Sequence, residues 1–346
     1  NSNGDLYFIM EPTETNNLFM MVKSTDGGKS WFEVDPDNRP QENDLEGVGS
    51  VMTKDGVIHI VHQVSKAVYH HAFATSDYAG DKDRWIVDSH LITPQEEPPT
   101  QTADITIRPD GSLVAVFAAG NQLQYCISKP DGTWSKADYF NQNDPVGFRN
   151  PSVVCQPDGT VDIAYKSMDG KGWHRQLLPD NSLTKPQLFA QNLGTDESEN
   201  IAILPLIYLP EKKTTVAVFR QSDGFLYMSY KSSGKSWSEP ARVSDRPVVT
   251  SAADSDQTGA DAVAWEDRII ISFISEENRD IYLTAICGFD QTPDARLIVP
   301  DIDGSWLRGN ILQHQKSNPV YGIIFDAGSK GGSGYNRYIS FDLENK

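Results

Sequence analysis

Ser24-Thr25-Asp26-Gly27-Gly28-Lys29-Ser30-Trp31 decides how this 346-residue chain is read. It follows the apolar run Leu18-Phe19-Met20-Met21-Val22 and leads into Phe32-Glu33-Val34, so it reads as a strand, a tight turn and a returning strand. Asp26 can accept hydrogen bonds from its own turn backbone, and Gly27 or Gly28 can take a positive φ. Trp31 then folds back as an apolar plug beside the hairpin.

Working outward, a related signal recurs along the chain: a turn followed by alternating apolar residues. It opens at Gly4, Gly56, Gly111, Gly159, Lys213, Asp267 and Asn318, which makes seven copies. A spacing of about fifty residues is the period of propeller blades. Each full copy adds a small-residue strand before the turn and a hairpin to a third strand. Those third strands are expected at Ala67–Ala74, Gln122–Ser128, Gly224–Lys231 and Asp280–Cys287. Looser versions of the opening turn, Ser128–Trp134, Ser167–Trp173 and Ser233–Trp237, are expected to follow third strands, with their tryptophans on the outer part of the blades. No long amphipathic helical pattern is present. The expectation is an all-β, seven-bladed β-propeller, with six blades the alternative. Residues 1–346 form one domain closed between its terminal blades.

The pattern Ser-x-Asp-x-Gly-x-Ser/Thr-Trp, matched by Ser24, Asp26, Gly28, Ser30 and Trp31, resembles the Asp-box or BNR repeat. Such hairpins are similar to those of sialidases and other secreted carbohydrate-active propellers. The motif is structural, so the resemblance implies a fold and leaves the chemistry to other residues.

With 48 acidic against 30 basic side chains the net charge is −18, which argues against nucleic acid or an anionic membrane as partner. No apolar run approaches a membrane span. The chain starts at Asn1, and a removed leader and secretion are expected. The three cysteines, Cys126, Cys155 and Cys287, form neither a disulfide framework nor a metal cluster; Cys126 and Cys155 either pair across neighbouring strands or are buried free thiols.

In a propeller one face collects the starts of the innermost strands, where many blades contribute to one concavity. The aligned starts carry Glu46, Asp104, Arg149 with Asn150, Asn200, Asp261 and Arg308. Charged and amide groups near an axis either bind a ligand or form a paired ring. At the far ends of the second strands one slot holds Met10, His62, Phe117, Tyr165, Phe219 and Phe273, so His62 and Tyr165 are its polar occupants. Gln63, Lys166 and Arg220 follow in the next position. His62 and Tyr165 either fill the slot or face the concavity with Arg149 and Arg220. His70 and His71 point to opposite faces of the third strand, so one of them joins His62. A histidine pair beside carboxylates also suits a divalent cation, Ca or Zn, without diagnostic spacing. His59, His174 and His314 read as ordinary core or surface residues, and His90 as peripheral.

Two arginines, a tyrosine and a histidine suit an acidic sugar. Guanidinium groups pair with a uronate carboxylate and acidify its C5 proton, which a neutral His or Tyr removes while a second such group protonates the leaving oxygen. That is β-elimination. The repeat architecture resembles ulvan lyases and the fungal L-rhamnose-α-1,4-D-glucuronate lyase, which use His, Tyr and Arg at a central site; the resemblance implies a secreted polysaccharide lyase, and the strand alignment, with no family motif matched residue by residue, offers His62, Tyr165, Arg149 and Arg220 as its catalytic residues. Glu46, Gln63, His70, Asp104, Asn150, Lys166, Asn200, Asp261 and Arg308 would then bind the substrate. A sialidase-like exo-glycoside hydrolase is the first alternative: Arg149, Arg220 and Arg308 imitate an arginine triad, and Asp104 with Asp261 or Glu46 with Glu199 supplies two carboxylates. The N-terminal Arg-Ile-Pro or Arg-Leu-Pro motif of sialidases is absent. A non-catalytic sugar-binding propeller, a lectin, is the second alternative, although the polar positions differ from blade to blade. The expected partner is an acidic oligo- or polysaccharide, bound by a monomer.

Overall fold

A computed structural model describes residues 1–10, 19–40, 48–64, 67–94, 99–119, 122–129, 131–140, 151–194, 203–249, 259–289, 294–304, 307–312, 320–327 and 335–343. These residues form seven antiparallel sheets arranged as a seven-bladed β-propeller, and no α-helix occurs among them. Blade 1 holds β1 (Leu6–Met10), β2 (Met20–Ser24) and β3 (Phe32–Val34). Blade 2 holds β4 (Gly49–Met52), β5 (Val57–Val64), β6 (Ala67–Ala74) and β7 (Arg84–Pro94). Blade 3 holds β8 (Pro99–Ile107), β9 (Leu113–Ala119), β10 (Gln122–Ile127) and β11 (Asp138–Tyr139). Blade 4 holds β12 (Ser152–Cys155), β13 (Val161–Lys166), β14 (Gly172–Leu177) and β15 (Gln187–Ala190). Blade 5 holds β16 (Ile207–Leu209), β17 (Thr214–Arg220), β18 (Leu226–Ser232) and β19 (Ala241–Arg242). Blade 6 holds β20 (Ala260–Trp265), β21 (Arg268–Ile274), β22 (Ile281–Ile286) and β23 (Arg296–Val299). Blade 7 holds β24 (Leu307–Leu312), β25 (Val320–Ala327) and β26 (Tyr335–Asp342).

The second strands are apolar on both faces because each is sandwiched between two neighbouring blades. The core is accordingly split into layers, one per blade interface. Phe19 and Met21 of blade 1 meet Ile60, Phe73 and Trp85 of blade 2. Val61 and Val68 meet Ala103, Ile105 and Phe117 of blade 3. The interfaces between blades 3 and 4, 4 and 5, 5 and 6, and 6 and 7 are filled in the same way.

Blades 1 and 7 keep three strands each and are separate sheets, so among the described residues no strand pairing joins them. Their contact comes from the opening turn. Ser24 Oγ and Asp26 hold that turn: Gly28 N–H donates to Ser24 Oγ at 2.8 Å, and Lys29 and Ser30 N–H donate to Asp26 at 3.0 and 2.9 Å. Trp31 Nε1 donates to the Gly28 carbonyl at 3.1 Å, which fixes the indole. The indole then meets the Tyr338 ring of blade 7 edge-on, centroids 5.6 Å apart and planes at 72°. Gly28, at φ +88°, lies under the same ring, and a Cβ there would stand 2.1 Å from Tyr338.

The same device recurs. Trp134 of blade 3 meets His70 of blade 2 at 5.3 Å and 64°, and Trp237 of blade 5 meets His174 of blade 4 at 5.1 Å and 74°. Trp134 and Trp237 leave the turn after the third strand of their blades and Trp31 the turn after β2 of three-stranded blade 1, and each packs on the third strand of the preceding blade. Each of these tryptophans is therefore a blade-to-blade contact, and Trp31 is also held beside its own hairpin, as the sequence suggested. Trp173 differs: it lies within β14, and residues 167–171 connect the second and third strands, at the opposite end of the blade. That corrects its placement after a third strand.

None of the three cysteines is in a disulfide. Burial pushes the Cys126 thiol up to about 12 and the Cys155 thiol up to about 11, so both are inert.

Candidate functional site

The innermost strands are tied to one another by side chains at one matching position. Asp104 on β8 accepts the Ile105 N–H at 2.8 Å with one oxygen and the Val153 N–H of blade 4, also at 2.8 Å, with the other. Asp261 on β20 repeats this with Ala262 and with Gly309 of blade 7, both at 2.9 Å. Ser152 fills the same role with a hydroxyl that accepts the Leu206 N–H at 2.8 Å. Gly49 occupies the position in blade 2, where a Cβ would lie 2.6 Å from the Asp104 Cα. The polar residues at these strand starts therefore include a ring of blade-to-blade bonds.

Arg308 adds charge to that ring. Its side chain is exposed, and Nη1 donates to the Leu307 carbonyl at 3.0 Å. Its charge acts on Asp104 and on Asp261, which come from opposite sides of the ring. Burial pushes the Asp104 carboxyl up to about 6, against the pull of its two backbone N–H donors and Arg308. Asp261 is raised by burial in the same way. Beside it the buried Tyr321 hydroxyl bonds Ser272 Oγ at 2.6 Å.

The residues expected to move protons lie in the blade interfaces. His62 is 0 % exposed and packs on Phe19 of blade 1 at 5.1 Å, with His71 at 6.3 Å. Tyr165 is 2 % exposed in the apolar layer between blades 3 and 4. Phe117, Phe219 and Phe273 fill the equivalent slot in other blades, so His62 and Tyr165 occupy core positions of the same kind. Arg220 is buried at the end of β17, where its Nε donates to the Val248 carbonyl at 2.9 Å. Lys166 is buried at the end of β13, and Gln63 is carried by β5. His71, not His70, joins His62. His70 turns to the other face and its Nε2 lies 2.9 Å from His59 Nδ1. Glu46, Arg149, Asn150, Glu199, Asn200 and His314 lie outside the described residues. Among the described residues no three His, Cys, Asp or Glu side chains are gathered to hold a metal ion as they stand.

One polar centre escaped the sequence reading. Asp162, fully buried on β13, accepts hydrogen bonds from Gln156 Nε2 at 2.7 Å, His174 Nε2 at 2.7 Å, Gln176 Nε2 at 2.9 Å and Thr215 Oγ1 of blade 5 at 2.8 Å. Burial alone would raise its carboxyl, but these donors outweigh burial and hold it below the ordinary value. His174 is kept neutral by burial. Four donors on one carboxylate make a structural clasp between blades, not a reactive group. The available signal was a charged residue second in a strand, Val161–Lys166, whose other early positions are apolar.

The sequence matches no protein-family model, and no curated protein is detectably similar to it. Solved structures share the fold at low identity. The chain is similar to the BP39L lectin from Burkholderia pseudomallei, with TM-score 0.70, 9 % identity and coverage of 99 % of this chain and 93 % of that one. It is also similar to a six-bladed fungal lectin with a fucose recognition mode, from Aleuria aurantia, with TM-score 0.57, 16 % identity and coverage of 87 % and 93 %. A mutant of the NanB sialidase from Streptococcus pneumoniae gives TM-score 0.51 at 11 % identity; the match covers 98 % of this chain but 66 % of that one. At these identities the likeness establishes the propeller fold.

Proposed function

We propose that this propeller binds saccharide without turning it over, at the axial end of the ring where Arg308 stands against Asp104 and Asp261. One observation carries the reading: His62 and Tyr165, the side chains that would move protons in an elimination, are sealed at 0 % and 2 % exposure. A general base must come within about 3.2 Å of the proton it takes, directly or through one water, and a side chain closed inside a blade interface does not meet a polymer. What the axis presents instead is an exposed guanidinium, a rigid fork of donors that matches a sugar carboxylate or a pair of hydroxyls. Its preferred ligand is an acidic oligosaccharide. The lectins with this fold support a binding role, and secretion and a monomeric state belong to the same reading.

A second reading, an exo-glycoside hydrolase, has one observation in its favour. Asp104, pushed up to about 6, has the protonation behaviour of a general acid. Against it, both Asp104 and Asp261 already hold two backbone N–H groups each. A glycan array followed by calorimetry on the best ligand, with new reducing ends and absorbance near 235 nm followed in parallel, tests the proposal. Binding without products supports it. Steady product release that Asp104→Asn abolishes would replace it with hydrolysis.

A further inference from the structure

Six blades contribute an innermost strand, β4, β8, β12, β16, β20 and β24, and each consecutive pair of these strands is in contact. Among the described residues blade 1 has none. There β1 pairs with β2 on its outer side alone, whereas its counterparts β5, β9, β13, β17, β21 and β25 each lie between two strands. The turn at the foot of that open side is formed all the same. The Asn1 nitrogen donates to the Asp5 carbonyl and Gly4 N–H to the Asn1 carbonyl, both at 2.9 Å. The same pair of bonds ties Thr53 to Val57 and Gly56 after β4, and Arg108 to Ser112 and Gly111 after β8. Asn1 thus holds the place of the last residue of an innermost strand. Backbone groups alternate sides along a strand, so the N–H and C=O groups of Tyr7 and Ile9, like the Asp5 carbonyl, face the open side.

The neighbouring blades present matching walls. Counted back from the turn, Ser50 and Met52 of β4 correspond to Ile105 and Ile107 of β8 and to Val153 and Cys155 of β12, which pack on the preceding blade. Ile105 and Val153 are 3 % and 8 % exposed, but Ser50 is exposed and Met52 is 46 % exposed. The side of blade 2 that would meet an innermost strand of blade 1 is therefore open and partly apolar. On the other side β24 of blade 7 brings the exposed Arg308. The repeat also says what fits between them. Asp104 on β8 and Asp261 on β20 each accept one N–H from their own strand and one from the next blade. An aspartate at that point of an added strand would meet Ser50 N–H, the counterpart of Val153 N–H, with Arg308 as its neighbouring cation.

We propose that this groove binds an extended peptide strand of a partner protein by strand addition to β1, with the pattern small, acidic, apolar, polar, apolar of Ala103-Asp104-Ile105-Thr106-Ile107. The backbone of Tyr7 and Ile9 holds the strand by ladder hydrogen bonds, and the side-chain walls select its sequence. Met52 favours an apolar or small neighbour, and Arg308 favours the acidic residue. A bound strand completes blade 1 and closes the inner row between β24 and β4. The groove shares Arg308 with the proposed saccharide site, but its readout lies in β1 and needs no glycan.

The test titrates the full chain, without saccharide, with a synthetic peptide carrying the sequence of residues 101–108, acetylated and amidated at its ends. Calorimetry should show about one equivalent bound, and amide exchange followed by NMR should slow at Tyr7 and Ile9 at least about tenfold. A peptide with Lys in place of the aspartate should bind at least about tenfold more weakly. One with Pro in place of the second threonine, whose N–H would face Tyr7, should not bind. Met52→Asp changes an exposed side chain, so circular dichroism should show it folded. It should weaken binding at least about tenfold by placing a carboxylate in the wall. The inference is overturned if no saturable binding appears below about 1 mM, or if the Lys peptide, the Pro peptide or Met52→Asp leaves affinity unchanged. It is equally overturned if protection falls outside β1, or if the Tyr7 and Ile9 amides are already protected in the chain alone, by its own residues or by a second copy.

Discussion

Removing Trp31 opens the seam between the first and last blades. The six other interfaces each have a buried apolar layer, while the seam is described by the Trp31–Tyr338 contact over Gly28. A fully buried Trp→Ala change costs about 3–5 kcal/mol. Trp31 is half-buried, so Trp31→Ala should cost about 2–3 kcal/mol, of which the edge-to-face geometry accounts for roughly 1 kcal/mol. Urea denaturation of Trp31→Ala, Tyr338→Ala and the double variant isolates that share as a coupling energy. Hydrogen exchange should rise first in Tyr335–Asp342 and in the Ser24–Trp31 turn, because local opening precedes global unfolding. A coupling within about 0.3 kcal/mol of zero, the ordinary error of additivity, would refute the assignment of the seam to this pair.

Further expected outcomes follow from the same interfaces. Gly28→Ala should open the seam as well, since it places a Cβ against Tyr338 at a φ that L residues avoid; unchanged exchange in β26 would contradict this. Lys23 is buried between Asp5 and Asp83, at 2.8 Å from each, so Lys23→Met should cost about 3 kcal/mol by leaving two carboxylates without their cation, read by urea midpoint. Asp162→Ala should cost about as much, because His174, Gln156, Gln176 and Thr215 lose a common acceptor. His174 and Asp162 are both held below their ordinary values, so the unfolded chain binds more protons as the medium turns acid. Stability is then full above about pH 6.5 and is lost as pH falls, first through His174 and below about pH 4 through Asp162. His174→Gln keeps a donor for Asp162 and should flatten the first part of that fall in urea midpoints taken from pH 7 to 4.

Much of the fold was legible because strand and turn signals are local. Period-two alternation after each turn located the second strands, and the predicted Ala67–Ala74 is β6 to the residue. Partners between blades were not legible. Trp31, Trp134 and Trp237 look identical whether they plug their own hairpin or reach the preceding blade, because a turn motif carries no information about what stands beside it. Ser167–Trp173 misled for a related reason: its spacing matches the turn, but only one strand separates it from Gly159, which puts it at the other end of the blade. His62 and Tyr165 were recognised as polar occupants of an aromatic slot, and the slot itself decides their burial. Asp104, Asp261 and Arg308 were found by alignment of strand starts. That the two carboxylates bond to the next blade's backbone depends on spacing across the ring, which no single strand records.

The most direct test of the binding account is calorimetric titration of one acidic oligosaccharide, identified on the array, into the native chain and into Arg308→Met. Charge-assisted hydrogen bonds are worth about 1.5–3 kcal/mol, so Arg308→Met should weaken binding roughly 10- to 100-fold while circular dichroism shows the variant folded and the ligand is recovered intact. Equal affinity in the two proteins, or recovery of a cleaved ligand, would contradict the account.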